Sequence, residues 1–371
     1  MSHLLLLFSV VLAGAGAGAC NGPDSGPTPS PPPTASTTAS TTPVTIPVQP
    51  FSGELSIDAP PTDVLVMTSP VDVSGRAPAA AGGVAVTAAG TSVAATQTGE
   101  AWQAQVTLAN GLNEVVARQN TLSSAILLTL GRGIGQQPPQ RFRLAWEDGV
   151  DDELRAIARG TLDHPTNANV EAFVVGVRQL VPLVVLRAFE GFAVTEADSD
   201  GPDVHTISLL PNRGSIFGQS PEDCGSRTPR QTTEVWVGTY REEMVQSFDA
   251  WRPMQKTDSL PTRIEDVAEA LGRTSAHEMG HSLGLVGSSL GAPCGWMRGC
   301  DGGHNCSALG EQFPAISNRF DFGRYIMDPG QRTSNHARIA EPLDGARASV
   351  RTPSVFNPFN RGYLGVVHPT P

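Results

Sequence analysis

The segment His277-Glu278-Met279-Gly280-His281 constrains this chain more than any other stretch. Two imidazoles four residues apart stand one turn apart on the same face of a helix, where both reach a single metal ion. Such a pair needs a rigid, buried helix, and Ile264, Val267, Ala268 and Leu271 supply an apolar stripe at helical spacing just upstream. The pattern predicts a helix from about Thr262 into the motif. Zinc suits two neutral imidazole nitrogens, at about 2.0–2.1 Å from each. Glu278 projects beside them toward a water that the ion acidifies, the position of a general base in peptide-bond hydrolysis. Gly284, three residues after the second histidine, suits a left-handed helix end that turns the chain back toward the metal.

The chain is long enough for two cores, and its net charge of −11 argues against a nucleic-acid partner, which needs a Lys/Arg surface. Residues 1–20 run from a short start through the apolar stretch Leu4 to Ala13 into small residues before Cys20, the order of an export signal too short to span a bilayer. Ala17, Gly18, Ala19 and Cys20 resemble the lipobox of bacterial lipoproteins, with Ala17 where that motif prefers Leu; the resemblance implies a lipid on Cys20 and a membrane tether. The alternative is ordinary signal cleavage and a secreted protein. With Cys20 set aside, Cys224, Cys294, Cys300 and Cys306 are an even number able to form two disulfides, and three connectivities are open.

Residues 21–50 hold nine Pro, seven Thr and four Ser with Asp24 as the one charge, which predicts a disordered spacer stiffened toward polyproline II. From 52 to 132 the pattern changes to short β-rich runs separated by turn dipeptides at Gly82-Gly83, Ala89-Gly90 and Asn110-Gly111. Trp102, Ala104, Val106 and Leu108 alternate as one buried face. The segment resembles the immunoglobulin-like sandwiches that bacteria append to secreted enzymes. Gly131 to Gln140 reads as a linker, and 136–371 as a mixed α/β domain. There Phe142 to Trp146, Gly191 to Thr195, Val204 to Leu210 and Thr233 to Thr239 are predicted strands. Asn167 to Glu190 is a predicted buried helix that Pro182 should kink or interrupt.

His277 to Leu285, HEMGHSLGL, resembles the metzincin zinc peptidases, and Tyr325 to Gly330, YIMDPG, resembles the Met-turn of that clan. The resemblance implies an α/β metzincin-like peptidase domain, an exported zinc endopeptidase acting on polypeptides, and Met327 as a hydrophobic base beneath the metal. It also exposes a departure: the clan's third ligand falls at position 287, and this chain has Gly287. The following Cys- and Gly-rich segment offers His304 as first choice, because its imidazole matches the other ligands and Gly302 and Gly303 free the backbone, with Asp301 second. Glu311 would complete a thermolysin-like site, which leaves Gly284 and the Met-turn unexplained. Asp198, Asp200 and Asp203 around Gly201 form a weaker candidate for calcium, more simply read as a solvated turn. His164, His205 and His336 have no ligand-pair spacing, and Phe356 to Tyr363 reads as C-terminal packing. A competing reading, motivated by Gly287, is a catalytically inactive surface binding or adhesion protein.

Overall fold

Alternating apolar residues between Leu55 and Leu130 build two sheets around one core. In the computed structural model, which describes residues 53–79, 82–212, 217–245, 256–287, 294–297, 304, 325–327 and 355–370, this region holds nine strands. They are β1 (Ser56–Ala59), β2 (Val64–Val66), β3 (Val71–Arg76), β4 (Ala85–Ala88), β5 (Thr91–Ala94), β6 (Thr96–Thr98), β7 (Ala101–Val106), β8 (Gly111–Gln119) and β9 (Leu122–Leu130). One sheet has the order β1-β3-β7-β6 and the other β2-β9-β8-β4-β5. Only the β2–β9 pair among these is parallel. Val73, Trp102 and Val106 from the first sheet meet Val86, Val115, Ala117 and Leu128 from the second. Ala89 and Gly90, with φ of 46° and 77°, make the two-residue turn from β4 to β5, and positive φ at both positions gives a turn whose twist matches that of the paired strands. The predicted leader, Cys20 and the spacer lie outside the described residues.

The second core belongs to a sheet with helices packed on it. Its elements are β10 (Gln140–Trp146), α1 (Val150–Thr161), α2 (Asn167–Ala188), β11 (Val194–Glu196), β12 (Val204–Leu210), β13 (Gly218–Gln219), β14 (Thr232–Trp236), α3 (Val237–Val245), α4 (Leu260–Ser282) and α5 (Pro358–Val367). The sheet order is β11-β10-β12-β14-β13, parallel except for β13, which runs antiparallel at the edge. Phe142, Ile207, Leu209 and Val235 from the strands join one cluster with Leu154, Phe173, Val177, Val181, Val267 and Leu271 from the helices.

Three local expectations are corrected. Helix α2 continues through Pro182 without interruption. Strand β14 stops at Trp236, and Val237 to Thr239 open α3 instead. Residues 191–193 precede β11 rather than belonging to it. Tertiary packing overrides the local preference at Pro182 and at Val237 to Thr239, whereas Gly191, with φ of +88°, still belongs to the turn after α2. By length and mean hydropathy of 1.6 helix α2 would also suit a membrane. Here its apolar face is the domain core: a Cβ on Gly176 would stand 2.7 Å from Ile264 of α4, and one on Gly272 of α4 would stand 2.5 Å from Val184. Bare glycines on both helices let the backbones approach closely.

His205, on β12, is 1% exposed, with Nε2 3.4 Å from the Thr233 hydroxyl. Burial pushes its pKa down to about 4, so the folded state holds it neutral where the unfolded chain takes up a proton. Its contribution to stability is therefore complete above about pH 6.5 and is lost as pH falls toward 4, at about 1.4 kcal/mol per unit. Thermal denaturation at pH 7 and pH 5 is expected to show a smaller acid-induced drop for His205→Gln than for the unmodified chain. Equal drops would count against this assignment.

Candidate metal centre

Helix α4 carries the motif and is built for burial. Ser259 caps it, its side chain accepting from the Thr262 amide, with Pro261 in the first turn where a missing N–H costs nothing. Val267, Ala268 and Leu271 are fully buried, and His277, Glu278 and His281 are 8%, 7% and 7% exposed. The helix ends in a Schellman motif: the Gly284 amide donates to the His281 carbonyl at 3.0 Å and the Leu285 amide to the Gly280 carbonyl at 2.9 Å. Gly284 has φ of +98°, and a Cβ there would stand 2.1 Å from Tyr363 Oη. This turn is what brings the Leu285 carbonyl back to His281.

The carbonyl partners fix the imidazole tautomers. His277 Nδ1 lies 2.5 Å from the Ile326 carbonyl oxygen and His281 Nδ1 3.0 Å from that of Leu285. Carbonyl oxygens only accept, so both Nδ1 atoms carry the proton and both Nε2 atoms present lone pairs. Those two Nε2 atoms face each other at 3.2 Å. Two lone pairs at that distance repel unless a cation lies between them. Tetrahedral coordination at about 2.05 Å places two nitrogens roughly 3.3 Å apart, so the pair has the spacing a shared ion requires. Burial and the neighbouring His304 push the pKa of His281 down to about 3, which keeps the ring neutral and its Nε2 lone pair free of a proton.

His304 joins this pair. Its ring centroid is 5.2 Å from that of His277 and 5.2 Å from that of His281, and one ligand atom from each of the three lies within 4.8 Å of the others. Asp301, Glu311, His336, Cys300 and Cys306 lie outside the described residues. Cys224 and Cys294 are joined in a disulfide, which selects one pairing among those open in the sequence. It links the segment leading toward His304 to a loop at the end of α4, where the Asp223 amide donates to the His281 carbonyl at 3.2 Å.

The described part of the YIMDPG segment, Tyr325 to Met327, is held under the helix from two sides. Arg273 donates to the Tyr325 carbonyl at 2.8 Å, and the Ile326 amide donates to that of Val355 at 2.9 Å. Met327 is fully buried, and a Cβ on Gly280 would stand 2.7 Å from its sulfur. The thioether thus occupies the space that the glycine between the two histidines leaves open.

Glu278 projects toward the sheet. A Cβ on Gly218 of β13 would stand 2.6 Å from both Cγ and Oε1 of Glu278, so the edge strand admits the carboxylate only because residue 218 lacks a side chain. Gly218 stands in no motif and Tyr363 in a stretch expected only to pack, while Ile326 and Leu285 lie inside the two motif stretches but act through backbone carbonyls, which no side-chain pattern marks. The helix-ending Gly284 was the one local signal pointing at the Leu285 contact. The Asp-rich turn is paired with arginines, Asp200 with Arg143 and Arg230 at 3.7 and 3.0 Å and Asp203 with Arg141 at 3.8 Å, groups that would oppose a calcium ion. His164 is exposed in a turn with φ of 49°, away from the cluster.

No protein-family model matches this chain, and no curated protein matches it. Twelve solved chains match its structure. One of them, titled "Structure of myroilysin", is 14% identical, covers 64% of this chain and 97% of that chain, and superposes with a TM-score of 0.25. At that score the likeness carries no argument, and the chemistry rests on the residues above.

Proposed function

We propose that the chain is a zinc-dependent endopeptidase of metzincin type, with His277, His281 and His304 as metal ligands and Glu278 as general base. The observation that carries this reading is the pair of Nε2 lone pairs facing each other at 3.2 Å with both Nδ1 protons committed to carbonyls, and a third imidazole alongside. Three neutral nitrogens suit zinc better than calcium or magnesium, which take oxygen. When bound, the ion would supply Lewis acidity toward water and a substrate carbonyl. Ile326 and Leu285 hold the two imidazoles in one orientation and raise their basicity. Glu278 takes a proton from the attacking water and returns it to the amine nitrogen as the peptide bond breaks.

A polypeptide substrate fits the surroundings of Glu278. β13 is the last strand of its sheet among the described residues, and it lies against this carboxylate. An extended peptide adds to such an edge by main-chain hydrogen bonds. Around this site we read residues 52–132 as an immunoglobulin-like domain and 136–371 as the peptidase domain. The leader suggests export and the residues before Cys20 a lipid anchor.

Elemental analysis of the full chain and of His304→Ala, alongside hydrolysis of a denatured polypeptide, tests the reading. One zinc per chain, lost together with hydrolysis in the variant, is the expected result. A chain that holds no metal, or whose metal and activity survive the substitution, refutes the three-histidine site.

A further inference from the structure

We infer that Trp296 is a positioning residue for the metal centre, pinning the segment that delivers His304 onto the N-terminal β-sandwich. The inference rests on the reading of His304 as a ligand. Trp296 is 6% exposed and lies eight residues before His304. Its indole covers Gly131, where a Cβ would stand 2.8 Å from Cη2 of the ring and 2.9 Å from Leu65 Cδ1. The indole N–H donates to the Arg132 carbonyl at 2.7 Å. Leu65 is on β2 and Gly131 directly follows β9, and the Gly131 amide extends that pairing by donating to the Val66 carbonyl at 2.9 Å. The seat of the indole is therefore part of the sandwich.

Two residues earlier, Cys294 is tied by its disulfide to Cys224, beside the end of α4. The Met297 amide donates to the Cys294 carbonyl at 2.8 Å, closing a turn around both attachments. The approach to His304 is thus held toward His281 by the disulfide and toward the sandwich by the indole.

This clamp matters for His304 alone. His277 and His281 share one rigid helix, whereas His304 belongs to no helix or strand. The entropy of presenting it depends on the nearest fixed point upstream. With both attachments removed, the nearest upstream point fixed among the described residues moves from Trp296 to Gly287, seventeen residues away. Chain statistics alone then lower the effective concentration of His304 about threefold. Loss of orientation adds to this, as it does when groups that position a metal ligand are removed, where about 10- to 100-fold in affinity is typical. Either attachment left intact keeps most of the effect, so the two should be strongly non-additive.

The test measures zinc affinity of the full chain by competition with a chromophoric chelator, well below the melting temperature of each metal-free protein. It compares the unmodified chain, Trp296→Ala, the double variant Cys224→Ser/Cys294→Ser, and all three substitutions together. Each partial removal is expected to weaken binding by no more than about threefold, and the combination by about tenfold or more. A merely structural tryptophan would lower melting temperatures additively and leave affinity unchanged. Gly131→Ala itself alters no residue of the peptidase domain and displaces the indole by adding a methyl group on the sandwich side; alone it is expected to weaken zinc binding by no more than about threefold, and combined with Cys224→Ser/Cys294→Ser by about tenfold or more. It carries the test should the triple variant fail to fold. Equal affinities across the folded variants overturn the clamp while leaving the three-histidine site standing; an unmodified chain that binds no zinc overturns both.

Discussion

Replacing Glu278 by Gln is expected to lower kcat for peptide hydrolysis by about 10²- to 10⁴-fold while one metal ion per chain stays bound. The amide keeps the size of the carboxylate and its place beside Gly218, so the fold has no reason to change. What it removes is the basic oxygen. The substitution leaves all three imidazoles, and the carbonyl partners of His277 and His281, untouched, which separates loss of proton transfer from loss of metal. Paired measurements of kcat and bound metal decide the matter. Full activity in Glu278→Gln would end the general-base role, and loss of metal would show that the carboxylate acts through the site's structure instead. An unmodified chain that binds metal but hydrolyses no polypeptide would bring back the binding-protein reading.

The second large effect is expected at Gly284. An alanine there must hold φ of +98°, which costs about 1–2 kcal/mol for a side chain in the left-handed region. Its Cβ would also lie 2.1 Å from Tyr363 Oη and 2.9 Å from the Asp223 carbonyl oxygen and the Gly225 amide nitrogen. Overpacking of that kind adds about 1–3 kcal/mol. In a domain of this size a melting temperature lower by about 10 °C follows. Metal affinity should fall as well, because the same turn presents the Leu285 carbonyl to His281. Adding Tyr363→Phe should recover part of the stability by removing the nearest clash, though not the part that comes from φ. A Gly284→Ala chain melting with the unmodified protein would contradict the assignment of this turn as the device that orients His281.

Much of the architecture was legible because it is written in local periodicity. The alternation around Trp102 and the Ala89-Gly90 turn sit in paired strands, Val204 to Leu210 forms β12 over those residues, and the stripe before His277 lies on the buried helix α4. Elements whose order depends on packing were misread or passed over. Pro182 stays within α2 because the surrounding core holds that helix, and α3 begins where strand propensity would have continued β14. Edge strand β13 is two residues long, too short to leave any periodic signal.

The same division runs through the site. By itself the sequence determined the two-histidine pair, the glutamate between them and the helix-ending glycine, because all four follow from spacing on a single helix. It also limited the third ligand to a short set of choices, His304, Asp301 and Glu311, without being able to bring any of them to the pair. Only the tertiary structure joined His304 to the pair, across 23 residues from His281. It alone assigned the Nδ1 protons to the Ile326 and Leu285 carbonyls, chose the Cys224–Cys294 pairing, and set Gly218 against Glu278. Backbone carbonyls are the same in every residue and long-range contacts have no period, so what completes this centre depends on how separate segments pack.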